Sequence, residues 1–103
     1  MSTFVMVTRL SPGSLRSPHS LEELEQKAMA RVRESCPDVT WRENFAVLGR
    51  FDYVDVFDAP DIDTATKVSA IIRSYGHAHT EIWPATEWRS FKDMIRDLPG
   101  TDD

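Results

Sequence analysis

Phe4-Val5-Met6-Val7 sets apolar side chains at four successive positions within Thr3–Arg9 (TFVMVTR). Neighbouring side chains of a strand point to opposite faces, so a strand of this kind has to be covered on both. Ser11–Pro18 (SPGSLRSP) follows, and its two prolines and glycine mark a surface loop. Phe51–Phe57 (FDYVDVF) repeats the two-sided pattern, with Phe51, Tyr53 and Phe57 in one phase and Val54 and Val56 in the other. Val39–Leu48 (VTWRENFAVL) reads as a strand between them, with Trp41, Phe45 and Val47 on one alternating face. Gly49-Arg50 then suits a two-residue type II′ hairpin turn, since glycine accepts the positive φ.

Helical periodicity separates these strands. Leu21, Leu24, Ala28 and Val32 recur at three and four, behind Ser20 and Glu23, which fit a capping box. Ala65, Val68, Ile72 and Tyr75 form a second stripe, with Asp61 or Asp63 as its cap and Gly76 placed as its C′ residue. His77–Trp83 (HAHTEIW) alternates as a fourth strand, and Pro84 suits an edge or a strand end. Trp88, Phe91, Ile95 and Leu98 predict a short amphipathic helix over Glu87–Leu98. The order is βαββαβ, an α+β domain with a four-stranded antiparallel sheet and a C-terminal helix.

Two helices cover only one face of such a sheet. The other face of a monomer should be polar, and here both phases are apolar. Each large side chain left in water forfeits about 1.5–3 kcal/mol. A second copy of the sheet is the expected cover, in a homodimer or a higher homo-oligomer, since two-fold homodimers are the commonest assemblies. The C-terminal helix is the competing cover, folding back within its chain or swapping onto a neighbour.

A length of 103 residues fits one domain. Seventeen acids against twelve bases give a net charge of −5, the wrong balance for a surface that tracks phosphates, so nucleic acid is not an expected partner. Cys36 is the only cysteine, which suits a reducing compartment. No run approaches the roughly 20 apolar residues that span a bilayer, and no signal-peptide pattern opens the chain. A cytoplasmic setting without membrane contact is expected.

Leu48–Asp61 (LGRFDYVDVFDAPD) resembles the signature of the GYD domain family: a glycine, an aromatic and an aspartate, then an apolar strand and a Pro-Asp turn. Phe4–Leu10 resembles the family's first strand, and Gly76–Ala85, with its Thr80-Glu81 pair, its closing strand. Arg50 precedes the aromatic, Phe51 replaces the usual tyrosine, and His79 stands where a basic residue is common. The resemblance covers roughly residues 3–85, so 1–85 reads as a GYD-like domain and 86–103 as a helical extension of it. It implies a ferredoxin-like fold of the dimeric α/β-barrel group, usually bacterial. It implies no reaction, and relatives in the wider group range from cofactor-free monooxygenases and isomerases to haem-binding enzymes and regulatory modules. Transfer from these would be analogy of fold alone.

Polar and aromatic residues give three functional expectations. A self-associating domain that binds a small hydrophobic ligand, or acts as an accessory protein, is the first, with Trp41, Tyr53, His79 and Trp83 as ligand-binding candidates. The second is a cofactor-independent enzyme acting on a small hydrophobic or aromatic metabolite, with Asp52, Tyr53 and His79 as catalytic candidates converging on one pocket. The third is a metal-binding accessory protein, because His77, His79 and Glu81 alternate along one strand face. Plainer readings stand beside each. Aromatics at strand spacing usually pack cores or interfaces, Asp52 can accept backbone N–H groups at the hairpin, and the histidine row can be a solvated or interface face. Asp55, if buried, needs a partner. Cys36, near a helix C-terminus, is a poor nucleophile. No phosphate loop, nucleophile elbow or zinc-cysteine pattern occurs, and no cofactor is expected.

Overall fold

The computed structural model describes residues 1–11, 18–75 and 79–100, without the side chains of Pro18 and His19. In chain order the elements are β1 (Ser2–Arg9), α1 (Pro18–Ser35), β2 (Thr40–Ala46), β3 (Tyr53–Ala59), α2 (Ile62–Ser74), β4 (His79–Ala85) and α3 (Trp88–Arg96). The strands form one antiparallel sheet in the order β2-β3-β1-β4. This is the βαββαβ ferredoxin-like arrangement with an added C-terminal helix. The most apolar strand, β1, lies inside the sheet between β3 and β4. β4 is an edge, which accommodates Pro84.

One face of the sheet is closed by α1 and α2. Phe4 and Met6 of β1, Phe57 and Ala59 of β3, Val32 and Cys36 from α1 and its end, and Ala65 and Val68 of α2 make the core. Phe57 is fully enclosed, its ring 5.7 Å from that of Phe4 and 5.1 Å from that of Trp41. Asp61 caps α2 by accepting from the Thr64 backbone N–H at 2.8 Å and its hydroxyl at 2.7 Å.

Phe57 and Tyr53 therefore belong to the helix-covered side, while Val54 and Val56 take the opposite face with Val5 and Val7. Phe51 does not share a face with Tyr53 and Phe57. It precedes β3, outside the strand's alternation, and its ring meets Trp83 edge-on at 6.4 Å. Trp41 and Phe45 are likewise separated. A β-bulge between Trp41 and Glu43 shifts the phase by one residue, so Trp41 pairs with Phe57 on the helix side and Phe45 pairs with Val54 on the other.

Two further expectations are corrected. The β2–β3 connection runs over residues 47–52 rather than Gly49-Arg50 alone, closed by the Val47 N–H donating to the Asp52 carbonyl at 3.0 Å, with Gly49 at φ +154°. α1 already begins at Pro18, which puts Ser20 inside the first turn instead of at the cap. Gly76 and His77, assigned to the α2 end and the fourth strand, lie outside the described residues.

Candidate ligand groove

The N-terminal half of α1 carries a bulky apolar face over the sheet. Leu21, Leu24, Ala28 and Met29 form one wall of a groove of about 490 Å³. Met6 and Thr8 of β1 lie on its floor, and Ile72 and Tyr75 close the α2 side. The α1 stripe read from the sequence thus divides its work: Ala28 and Val32 are buried, whereas Leu21 and Leu24 are half-buried and line the groove.

Adjacent strands supply the polar groups. Tyr53 and Asp55 sit two residues apart on β3 and face the groove together. Asn44, directly across on β2, donates from Nδ2 to Asp55 Oδ1 at 2.7 Å. Burial pushes the Asp55 carboxyl above its usual range; the Asn44 hydrogen bond opposes this, and the Glu25 carboxylate of α1 reinforces it. Burial, with the Asp52, Glu25 and Asp55 carboxylates, raises the Tyr53 hydroxyl. Glu22, Glu25 and Asp55 are the charged groups among the described lining residues, and all three are acidic. The groove is apolar in bulk and anionic at one side.

The sequence candidates fall in different places. Tyr53 lines the groove. Trp41 packs on Phe57 beneath the helices. Asp52 accepts the Leu10 N–H through Oδ2 at 2.8 Å, while its own N–H donates to the Thr8 carbonyl at 2.8 Å, so it ties the loop before β3 to the end of β1. His79, Glu81 and Trp83 share the face of β4 turned away from the groove: His79 Nε2 lies 3.3 Å from Glu81 Oε2, and Trp83 Nε1 donates to Glu81 Oε1 at 3.2 Å. These bonds hold the Glu81 carboxyl below its ordinary range, the Trp83 donor contributing most. Asp52, Tyr53 and His79 accordingly do not converge, nor do Trp41, Tyr53, His79 and Trp83. His77 lies outside the described residues; among those described, no three His, Cys, Asp or Glu side chains gather as metal ligands. Burial raises the Cys36 thiol, partly offset by Lys67.

Asn44 and Glu25 were not singled out in the sequence, and Asp55 only as a carboxylate in need of a partner. Asn44 reaches Asp55 through the β2–β3 register after the bulge, and Glu25 through the path of α1, neither of which residue spacing encodes.

A four-stranded antiparallel sheet with two helices on one face, and a groove between helix and sheet, defines a ferredoxin-like α+β domain. Its sequence matches the profile of the GYD domain over residues 4–95. The chain belongs to the GYD domain family, and the matched region takes in most of α3. Among solved structures, the crystal structure of the Arabidopsis thaliana protein At3g17210 is similar at 13% identity, with 84% of this chain and 97% of that one covered and a TM-score of 0.48. A de novo designed protein with a ferredoxin fold, determined by solution NMR, is similar at 12% identity, with 84% and 86% covered and a TM-score of 0.43. No curated protein sequence matches the chain significantly. No described helix is long and apolar enough to cross a membrane.

Proposed function

We propose that this protein is a self-associating small-molecule-binding domain, acting in the cytoplasm, whose ligand has an apolar body and a cationic or hydrogen-bond-donating end. The observation that carries this reading is the roughly 490 Å³ groove, large enough for a small organic molecule, with the partly desolvated Asp55 on its wall. Burial disfavours the charged form of the Asp55 carboxyl. A protonated amine entering beside Asp55 and Glu25 supplies the missing counter-charge, while a carboxylate or phosphate meets repulsion from the same groups. Leu21, Leu24 and Met29 provide the apolar contact area, and flexible methionine adapts to shape.

Tryptamine and indole-3-propionate test this directly, having the same ring and opposite charges. Titration calorimetry at neutral pH should show saturable binding of tryptamine, weakened about tenfold in Asp55→Asn, the loss of roughly 1.4 kcal/mol expected for one charge-assisted hydrogen bond. Indole-3-propionate binding as tightly as tryptamine, or no saturable binding of either, refutes the reading.

A further inference from the structure

The C-terminal helix is an unpartnered element. Every residue from 86 to 100 is exposed, and α3 buries none of its side chains. Its apolar positions nonetheless fall on one side: Trp88, Phe91, Met94, Ile95 and Leu98, with the Trp88 and Phe91 rings packed only 5.3 Å apart. Trp88 is 67% and Leu98 64% exposed. Glu87 caps the helix by accepting the Ser90 N–H at 3.0 Å, so it is a formed helix and not a frayed tail.

The shape of the chain records the same fact. The radius of gyration is 16.6 Å, and the longest extent is 57 Å against 30 and 18 Å. A closed domain of this length has a radius of gyration near ~13 Å. Meanwhile the sheet face opposite α1 and α2 carries Val5, Val54 and Val56, all half-buried, beside a buried Val7, with Phe45 53% and Trp83 47% exposed at its two sides. An exposed apolar helix face and a partly exposed apolar sheet face thus coexist in one chain.

We propose that α3 is an exchanged arm: its apolar side docks on the valine-rich sheet face of a second copy, and the reciprocal dock closes a two-fold dimer. The inference rests on the self-association reading and names its contact. The exposed apolar side of α3 offers on the order of 500 Å², judged from side chains that each present up to about 150–250 Å². Two docks, counting the sheet surface they cover, remove about 2,000 Å² from solvent, the size of a stable interface. Charge agrees with the pairing. Arg89 and Lys92 flank the apolar side of α3, and Glu43 and Glu81 lie on the receiving face.

The test is sedimentation velocity on the full chain at micromolar concentrations, with circular dichroism to show that each variant is folded. Wild type is expected to be dimeric. Ile95→Asp on the helix and Trp83→Glu on the sheet should each weaken the dimer about thirtyfold or more, the effect of losing a central interface side chain. Val54→Lys serves as the sheet variant if Trp83→Glu does not fold. The decisive step is mixing the two variants. The mixed pair regains one intact dock, from the helix of the sheet variant onto the sheet of the helix variant, so dimer should reappear. A dimer unaffected by Ile95→Asp overturns the exchanged arm while leaving self-association standing. Dissociated variants that do not recover on mixing overturn it too, since α3 then acts within its own chain. A monomeric wild type removes both readings.

Discussion

Ala46→Trp tests whether the space between α1 and the sheet is a site or a packing fault. Ala46 ends β2, pairs with Tyr53, is exposed, and lines the groove. A tryptophan there directs a large ring into a volume of about 490 Å³. If about 100 Å² of apolar surface leaves water, the gain at about 25 cal/mol per Å² is about 2.5 kcal/mol. Ordering the side chain costs about 1 kcal/mol. The net stabilisation of about 1.5 kcal/mol raises the melting temperature by roughly 6–12 °C for a domain of this size. Aromatic residues also suit a strand better than alanine does. Urea denaturation should therefore show a higher midpoint with an unchanged slope, while calorimetry shows tryptamine binding lost. A gain in stability at the expense of binding is the mark of a functional cavity. The reasoning fails if the variant is destabilised and binds tryptamine as the wild type does, because the ring then does not occupy the groove.

Further outcomes follow from individual side chains. Asp55 has a raised folded-state pKa, so the folded protein holds its proton across a window where the unfolded chain has lost it; stability falls as pH rises through that window and stays lowered above it. Asp55→Asn should accordingly match wild type in melting temperature at low pH and exceed it at neutral pH, and equal melting at both pH values would argue against a desolvated carboxyl. Asp58 is the opposite case: the Thr3 hydroxyl, donating at 2.6 Å, and then the Arg42 guanidinium hold its carboxyl low. Its stabilisation is complete above the ordinary carboxylate range and disappears as pH falls through the depressed value, so Asp58→Asn should melt lower than wild type at neutral pH and converge with it in acid. Phe57→Ala removes a fully buried ring with two aromatic neighbours and should cost about 3–5 kcal/mol in urea denaturation, a large part of the stability of a small domain. Asp61→Ala removes the α2 cap and should lower the urea midpoint, while Asp61→Asn, which can still accept the Thr64 N–H, should retain most of the stability.

Local rules made much of the molecule legible. The 3.6-residue stripes of Ala28 and Val32, and of Ala65 and Val68, point at the core as their spacing requires. Asp61 caps its helix because a carboxylate three residues ahead of Thr64 can reach its N–H. The aromatic positions of α3 form one side of a real helix. Two-sided apolarity in Phe4–Val7 marks a strand that needs cover on both faces, and Phe4, Met6 and Val7 are buried with Val5 half-buried. The GYD resemblance rested on the β3 strand and its Pro-Asp turn, and both are present.

What the linear pattern could not carry was phase and register. Alternation assigns residues to faces only within an unbroken strand. The bulge beside Arg42 moved Phe45 to the face opposite Trp41, and the loop over residues 47–52 freed Phe51 to meet Trp83 across the sheet instead of joining Tyr53. The same register brought Asn44 to Asp55, and the course of α1 brought Glu25 near both, so the polar wall of the groove exists only after strands and helix are assembled. Sequence fixes which side chains want cover, since transfer from water depends on their own chemistry. Tertiary structure decides which of them meet, since that depends on distances between segments far apart along the chain.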